Sequence, residues 1–177
     1  MKYLVVVDMQ NDFVYGPLGT KEARAIVPNV EAKIRQYSES EGTFITFTKD
    51  CHWADYLETQ EGVYLPVPHC LVGSNGHQII PEFKGYAQYE NHIVNKRSFG
   101  YDDWEHEFGN GRSIVSFEIV GVCTDICVIS NALILKSLYP EIPIIVDASC
   151  CAGTTPENHQ AALQVMRSCQ IEVVNEK

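Results

Sequence analysis

Short apolar runs alternate with helical patterns along this 177-residue chain. Runs rich in β-branched residues predict six strands, at 3–7, 43–48, 92–95, 114–122, 142–146 and 171–174. The first run has almost no polar alternation, which is typical of a strand that is covered on both faces. Strands that alternate with helices indicate βα units on a parallel sheet. We therefore predict a three-layer α/β/α fold with a six-stranded, mostly parallel sheet, in a single domain over residues 1–177.

Three stretches predict the main helices. Apolar residues recur at helical spacing over 26–37, and we expect Pro28 in the first turn of this helix. A second helix is predicted over about 125–138, and a third over 156–169, where Thr-Pro is a typical helix start. The irregular stretch over 50–76 is unusually long for a compact domain, and such loops commonly carry function.

Composition and charge exclude several kinds of partner. The chain is 45% hydrophobic and 20% charged, which is ordinary for a globular protein. Its net charge of −10 argues against nucleic acid or an anionic membrane as a partner, since both require basic patches. The N-terminal apolar run is too short for a secretory signal and ends at Asp8. No run approaches the roughly 20 apolar residues that span a bilayer.

Seven cysteines, an odd number, are scattered along the chain. Without a secretory signal they indicate reduced thiols and a cytoplasmic location rather than a disulfide framework. A thiol redox protein is an alternative, but the chain has no Cys-x-x-Cys pair, and Cys123 and Cys127 straddle a turn. The adjacent Cys150 and Cys151 are interpreted as packing residues.

Polar side chains fall at the carboxyl ends of four predicted strands. Asp8 ends the first, Asp50 and His52 follow the second, Lys96 ends the third, and Cys127 follows the fourth. Ligands of open parallel sheets bind at this edge. Each residue alone could be a turn, cap or surface residue, but their shared position favours a functional site.

Cys127 follows a strand, and Thr124 and Asp125 supply a typical helix start. A thiol in the first helical turn faces the positive end of the helix dipole, which favours the thiolate. Thiolates attack carbonyl carbon, so we expect Cys127 to be a nucleophile. The alternative is a buried small residue that packs the helix on the sheet.

Asp50 and His52 point to one side of an extended segment, where they could share a divalent cation. His69 would add a third ligand, and either Glu58 or Glu61 a further oxygen. Two histidines and a carboxylate suit zinc, and iron and manganese also tolerate them. The alternative is a polar loop held by a His–Asp hydrogen bond. The remaining histidines are interpreted as surface or packing residues: His77, His92, His106 and His159.

Five motifs carry a family resemblance: VDMQNDF at 7–13, DCH at 50–52, PHC at 68–70, KRSF at 96–99 and GVCTDICV at 121–128. In this order and spacing the chain resembles the isochorismatase-like cysteine hydrolase superfamily, and most of all its nicotinamidase/pyrazinamidase branch. The resemblance implies that family's three-layer α/β fold. It also implies a cysteine-dependent amidohydrolase that releases ammonia from a small carboxamide through a thioester, with a role in NAD salvage.

The resemblance also assigns roles to individual residues. It implies a catalytic triad of Asp8, Lys96 and Cys127. It implies metal ligands at Asp50, His52 and His69. It implies a cis peptide bond between Val122 and Cys123, and an oxyanion hole formed by the backbone N–H groups of Cys123 and Cys127.

Substrate contacts and assembly are also implied by the resemblance. Phe13 would pack on the substrate ring, and Phe99 would serve as the aromatic residue that follows the lysine motif. Pro66 stands where many nicotinamidases have a ring-stacking aromatic, a departure that bears on the choice of amide. The family commonly forms homo-oligomers. Two alternatives stay open: a hydrolase of a carbamoyl or ureido compound without a catalytic metal, and a catalytically silent binding protein.

Overall fold

A computed structural model describes residues 1–87 and 92–176, without the side chain of His92. Its centre is one sheet of six strands, in the spatial order β3-β2-β1-β4-β5-β6. Every pair of neighbouring strands is parallel, which confirms the predicted fold class. The strands are β1 (Lys2–Val7), β2 (Thr43–Asp50), β3 (His92–Lys96), β4 (Ser116–Val122), β5 (Ile144–Ala152) and β6 (Glu172–Val174).

Helices cover both faces of the sheet. They are α1 (Asn11–Val14), α2 (Lys21–Ser38), α3 (Gln60–Tyr64), α4 (Trp104–Phe108), α5 (Ile129–Leu138) and α6 (Pro156–Ser168). Two short 3₁₀ turns, Tyr56–Glu58 and Pro81–Phe83, and a π-turn, Thr124–Val128, complete the regular structure. Within the described ranges, no helix combines the length and the apolar character that crossing a membrane requires.

Alternation along β1 divides its side chains between two hydrophobic cores. Leu4 and Val6 pack in the core beneath α2, whereas Val5 and Val7 pack in the core beneath α5 and α6. All four are fully buried. A central strand that is buried on both faces needs apolar residues at consecutive positions, which explains the unbroken run seen in the sequence.

Helix α2 begins earlier than its apolar spacing predicted. The Thr20 hydroxyl accepts a hydrogen bond from the Ala23 N–H at 2.9 Å and caps the helix. Pro28 consequently lies in the helix interior, and the prediction that it occupies the first turn was wrong. Its ring leaves the Arg24 carbonyl without the usual helical N–H donor.

Strand β5 extends to Ala152, beyond the predicted end at residue 146. Asp147, the first residue beyond the predicted end, is buried and forms an ion pair with Lys33 at 2.8 Å. Pairing with β4 shifts register after Ile119, so the extra residues are accommodated as an irregularity. The extension carries the chain to the start of α6, beside the segment that follows β4.

Candidate active site

The candidate catalytic residues converge at the carboxyl edge of the sheet. Asp50 and Lys96 are the last residues of β2 and β3 and face each other in register. Asp8 follows β1, and Cys127 lies in the π-turn after β4. Because β3, β2, β1 and β4 are consecutive neighbours, four distant chain segments meet at one place.

Lys96 lies at the centre of this group. Its Nζ is 2.7 Å from Asp8 Oδ2, 3.3 Å from Asp50 Oδ1 and 3.6 Å from Cys127 Sγ. The lysine is only 2% exposed, and Asp8 is fully buried. The three residues of the expected triad therefore lie within reach of one another and are almost completely buried.

Thr48 fixes the Asp8 carboxylate. Its hydroxyl donates to Asp8 Oδ1 at 2.6 Å and accepts the Asp8 backbone N–H at 3.2 Å. Asp8 has a φ of +48°, a left-handed conformation that aspartate tolerates better than most residues. Thr48 was not predicted as part of the site. The available signal was a hydroxyl at a buried position of a strand that neighbours β1.

Gly121 allows β4 to approach β1 at the level of the site. It has a φ of +119°, and a Cβ at this position would lie 2.1 Å from the Val7 carbonyl oxygen. Only glycine fits such an approach. The contact brings the residue before Asp8 against the strand that leads to Cys127.

Burial is the main influence on the protonation of Cys127. It raises the pKa of Cys127 well above its ordinary value, and Lys96 opposes this only in part. This burial opposes the thiolate that a helix start favours. Burial likewise raises the pKa of Asp8, against the opposing charge of Lys96. Burial lowers the pKa of Lys96, but Asp8, Cys127 and Asp50 outweigh it and hold that pKa well above its usual range.

The turn that carries Cys127 has π geometry. The peptide bond between Val122 and Cys123 is cis, as the resemblance implied. The Val128 N–H donates to the Cys123 carbonyl at 3.0 Å, which is an i to i+5 bond. The Cys127 N–H lies one residue before the N–H that makes this bond. It belongs to the amides at the start of a helix, for which no preceding turn supplies a carbonyl acceptor.

Four potential metal ligands lie beside Lys96. Their ligand atoms, from Asp50, His52, Glu61 and His69, all fall within 4.8 Å of one another. His52 Nε2 is 3.0 Å from Asp50 Oδ2, and His69 Nε2 is 3.6 Å from Glu61 Oε1. Glu58, the other acid considered, is exposed. Burial raises the pKa of the Glu61 carboxyl, whereas hydrogen bonds from His52 and His69 outweigh burial and lower the pKa of Asp50.

Hydrogen bonds behind the cluster orient its members. His69 Nδ1 lies 2.8 Å from the Val67 carbonyl, which directs Nε2 toward the carboxylates. Gln10 donates to the Asp50 carbonyl at 2.9 Å and accepts the Asp50 N–H at 2.8 Å. Gln10 was not predicted, although a glutamine between the aspartates of the first motif was a visible signal.

A cavity of about 330 Å³ extends from Cys127 to three of the potential metal ligands, Asp50, Glu61 and His69. Its walls are mainly apolar, and they include Phe13, Leu65 and Phe99. The Phe13 ring lies 5.4 Å from the His69 ring, and Phe99 remains half exposed at the rim. Tyr64 is 82% exposed and is not among the residues that line the cavity. Leu65 lines it instead, one residue before the position at which many nicotinamidases have an aromatic side chain.

A comparison with known protein families matches residues 2–177 to the isochorismatase domain. The chain belongs to the isochorismatase family. The resemblance drawn from its five motifs is thereby confirmed.

Characterised relatives of this isochorismatase-family chain include two amidases. The nicotinamidase/pyrazinamidase of Mycobacterium tuberculosis is 27% identical, with 98% of each chain covered. The nicotinamidase of Schizosaccharomyces pombe is 25% identical over 98% of this chain and 93% of the relative. The pyrazinamidase of Pyrococcus horikoshii, solved in complex with zinc, is 26% identical and superposes with a TM-score of 0.82 over 99% of both chains.

The histidines outside the cluster have different surroundings in this family member. His106 is exposed, as expected, and the side chain of His92 lies outside the described residues. His77 is buried, with Nε2 2.8 Å from Cys51 Sγ. His159 lies 2.7 Å from the Thr124 hydroxyl in the nucleophile turn, a contact that sequence spacing did not indicate.

Proposed function

We propose that this chain is a cysteine-dependent amidohydrolase that releases ammonia from a small carboxamide, as a nicotinamidase does. The observation that carries the proposal is a buried group of thiol, lysine and carboxylate that opens on the same cavity as a four-residue metal cluster. Two relatives that extend over almost the whole chain bear the name nicotinamidase, which supports the reaction class.

In the first half of the proposed reaction, Cys127 Sγ attacks the amide carbonyl carbon. Asp8 takes the thiol proton, which offsets the high pKa of the buried thiol at the moment when the C–S bond forms. We assign the developing oxyanion to the backbone N–H groups of Cys123 and Cys127. Loss of one such donor typically lowers the rate by about 10²–10³. Lys96 remains charged and stabilises the negative charge shared by Asp8 and the thiol.

In the second half, the C–N bond breaks and Asp8 returns its proton to the nitrogen, so that ammonia leaves and a thioester remains on Cys127. Water then attacks the thioester carbonyl while Asp8 takes one of its protons. The C–S bond breaks, the carboxylic acid leaves, and the thiol is restored by that proton. Phe13 and Phe99 are the proposed contacts for the body of the substrate.

The donor set of Asp50, His52, Glu61 and His69 fits a divalent ion, and zinc in particular. Two imidazoles and two carboxylates at this spacing match the ligands that zinc takes in proteins. We propose that Glu61 completes the three ligands implied by the motifs. When bound, such an ion supplies an electrophilic centre that can hold a ring nitrogen or a water of the substrate site.

Removal of Glu61 as a ligand should weaken zinc binding. We expect Glu61→Gln to lower zinc affinity by about tenfold or more, because a neutral amide replaces a carboxylate in the cluster. Competition with a chromogenic chelator would measure the affinity, and hydrolysis of nicotinamide after chelation and zinc return would measure the dependence of activity.

The exposed Glu58 provides the matched control, since Glu58→Gln changes the same charge three residues away. Its zinc affinity should equal that of the wild type. Equal zinc affinity in both variants would contradict the assignment of Glu61. Full activity in the metal-free enzyme would instead favour the metal-independent carbamoyl or ureido hydrolase.

As the pH is lowered, activity should be lost at a higher pH than the ordinary pKa of an aspartate would give. The proposed reaction requires Asp8 as a carboxylate, and burial raises its pKa above the ordinary 3.8, so Asp8 takes up its proton at a higher pH. We expect the acidic limb of the kcat/KM profile to have its midpoint above pH 3.8. This midpoint belongs to Asp8 together with the charges that act on it, Lys96 and Asp50. No loss from Lys96 is expected up to about pH 9, because its pKa is held well above 10.5.

The profile should be recorded with excess zinc and with the zinc content checked at each pH, because the metal ligands also bind protons in acid. A midpoint at or below 3.8 with zinc retained would contradict Asp8 as the base.

A panel of amides tests the function itself. Ammonia release from nicotinamide, pyrazinamide, N-carbamoyl amino acids and simple aliphatic amides would be compared for the zinc-loaded enzyme. We expect the pyridine and pyrazine carboxamides to give the highest kcat/KM. A preference for the carbamoyl compounds would overturn that choice, and absence of release from every compound would favour the silent binding protein.

The cellular setting and assembly are proposed on separate observations. All seven cysteines are free thiols, which supports a reducing compartment such as the cytoplasm. We propose one domain over residues 1–177. Exposed apolar side chains in the segment after β2 support a homo-oligomer, since such side chains are often covered by a second subunit: Trp53, Leu57, Val63 and Tyr64.

A further inference from the structure

We propose that His159, on α6, is a positioning residue that acts through Thr124 to hold the turn bearing Cys127. This inference rests on the proposed function, in which Cys127 is the nucleophile. His159 is not among the residues that line the cavity, so its effect would pass through the turn.

The first observation is the contact between His159 and Thr124. The Thr124 hydroxyl is 2.7 Å from His159 Nδ1, and Thr124 is fully buried. Thr124 opens the π-turn, and it directly follows Cys123, whose N–H is assigned to the oxyanion hole. A buried hydroxyl that loses its partner must rearrange or remain unsatisfied, and either outcome destabilises the observed conformation of this turn.

The second observation is a parallel connection at the next residue. The Asp125 carboxylate accepts the Thr154 N–H at 2.8 Å and the Thr154 hydroxyl at 2.5 Å. Thr154 lies in the segment between β5 and α6 and lines the cavity. Two consecutive residues of the nucleophile turn are thus held by the segment that begins α6.

The third observation is the packing of Gly153 between these connections. A Cβ at this position would lie 2.9 Å from Asp125 Oδ1 and 2.9 Å from His159 Cβ. The start of α6 is therefore in tight contact with the turn, with little space for it to shift independently. A change in the side chain of His159 should be transmitted to the turn rather than absorbed by a gap.

Two substitutions at position 159 separate positioning from simple packing. His159→Asn can present a side-chain amide near the place of Nδ1, whereas the longer His159→Gln presents its amide farther out. We expect His159→Gln to lower kcat about tenfold, the usual effect of one lost hydrogen bond, with KM within about twofold. His159→Asn should stay within about twofold of the wild type in both constants.

Combination with Thr124→Val completes the test. The single variants Thr124→Val and His159→Gln should each lose about tenfold in kcat, and the double variant should lose no more than either alone. Thermal melting would be recorded for each, with Gln164→Ala, an exposed position on α6, as the control for a change in this helix. Additive losses, or a wild-type kcat in His159→Gln, would overturn the proposal.

A second readout does not depend on the substrate. The rate at which iodoacetamide alkylates Cys127, followed for this residue by peptide mass spectrometry, should fall in His159→Gln and recover in His159→Asn. If the wild type releases no ammonia from any amide, the proposed function fails, and the alkylation rates alone decide the role of His159. Alkylation of Cys127 at the same rate in His159→Gln and His159→Asn would overturn the proposed role of His159.

Discussion

Cys127→Ala should abolish ammonia release, with kcat reduced by about 10⁴-fold or more, while the fold remains intact. The proposed covalent intermediate forms on this sulfur, and an alanine methyl offers no alternative nucleophile. The side chain is small and buried, so its truncation removes little packing. The measurement is steady-state ammonia release from nicotinamide, together with thermal melting and zinc content.

Cys169→Ala is the matched control for this variant. Cys169 is also a free thiol, but it is half-buried at the end of α6, on a different part of the molecule. It should retain wild-type kcat. Residual turnover of Cys127→Ala above one per cent of the wild type would exclude a thioester on Cys127. The proposed metal site of Asp50, His52, Glu61 and His69 would then remain as the candidate centre.

Asp8→Asn should lower kcat by about 10³-fold, because the amide cannot accept the thiol proton or return it to the leaving nitrogen. Asparagine retains the shape of the side chain and tolerates the positive φ of this position. The variant should also lose about 3 kcal/mol in the free energy of unfolding, since Lys96 loses its nearest counter-charge while it stays buried. Kinetics and urea unfolding would measure the two effects.

A second buried aspartate, Asp147, provides a control that separates an effect on stability from an effect on activity. Asp147 pairs with Lys33 away from the cavity, so Asp147→Asn should lower stability and leave kcat near the wild-type value. The double variant Asp8→Asn with Lys96→Met should recover stability without recovering activity. Restored turnover in that double variant would contradict the role assigned to Asp8.

The position of the candidate site could be predicted from the sequence because parallel strands order their carboxyl ends along one edge. Asp8 follows β1, and Asp50 and Lys96 end β2 and β3, so their meeting follows from the sheet alone. Spacing along the chain could not decide which glutamate joins the potential metal ligands, because Glu58 and Glu61 lie less than one helical turn apart in sequence. In the folded chain Glu58 lies in the 3₁₀ turn and Glu61 in α3, and the two segments pack tightly where Gly62 approaches the Tyr56 carbonyl.

The protonation state of Cys127 also depended on information that local sequence does not hold. A helix start favours a thiolate, and that tendency is visible in the motif. The opposing effect is burial, which depends on how α5 and the neighbouring segments cover the sulfur. The supporting residues Thr48 and His159 were missed for a similar reason, since each acts on a segment at least 35 residues away in the chain.

The contact between Gly121 and Val7 restricts how such an enzyme could be adapted to new amides. Any side chain at 121 would force the two central strands apart, so mutant libraries that include this position should yield mostly inactive clones. Phe99 and Leu65, at the partly exposed rim of the cavity, carry no such restriction and are the better places to randomise. Selectivity and reactivity would then be adjustable in separate regions of the molecule.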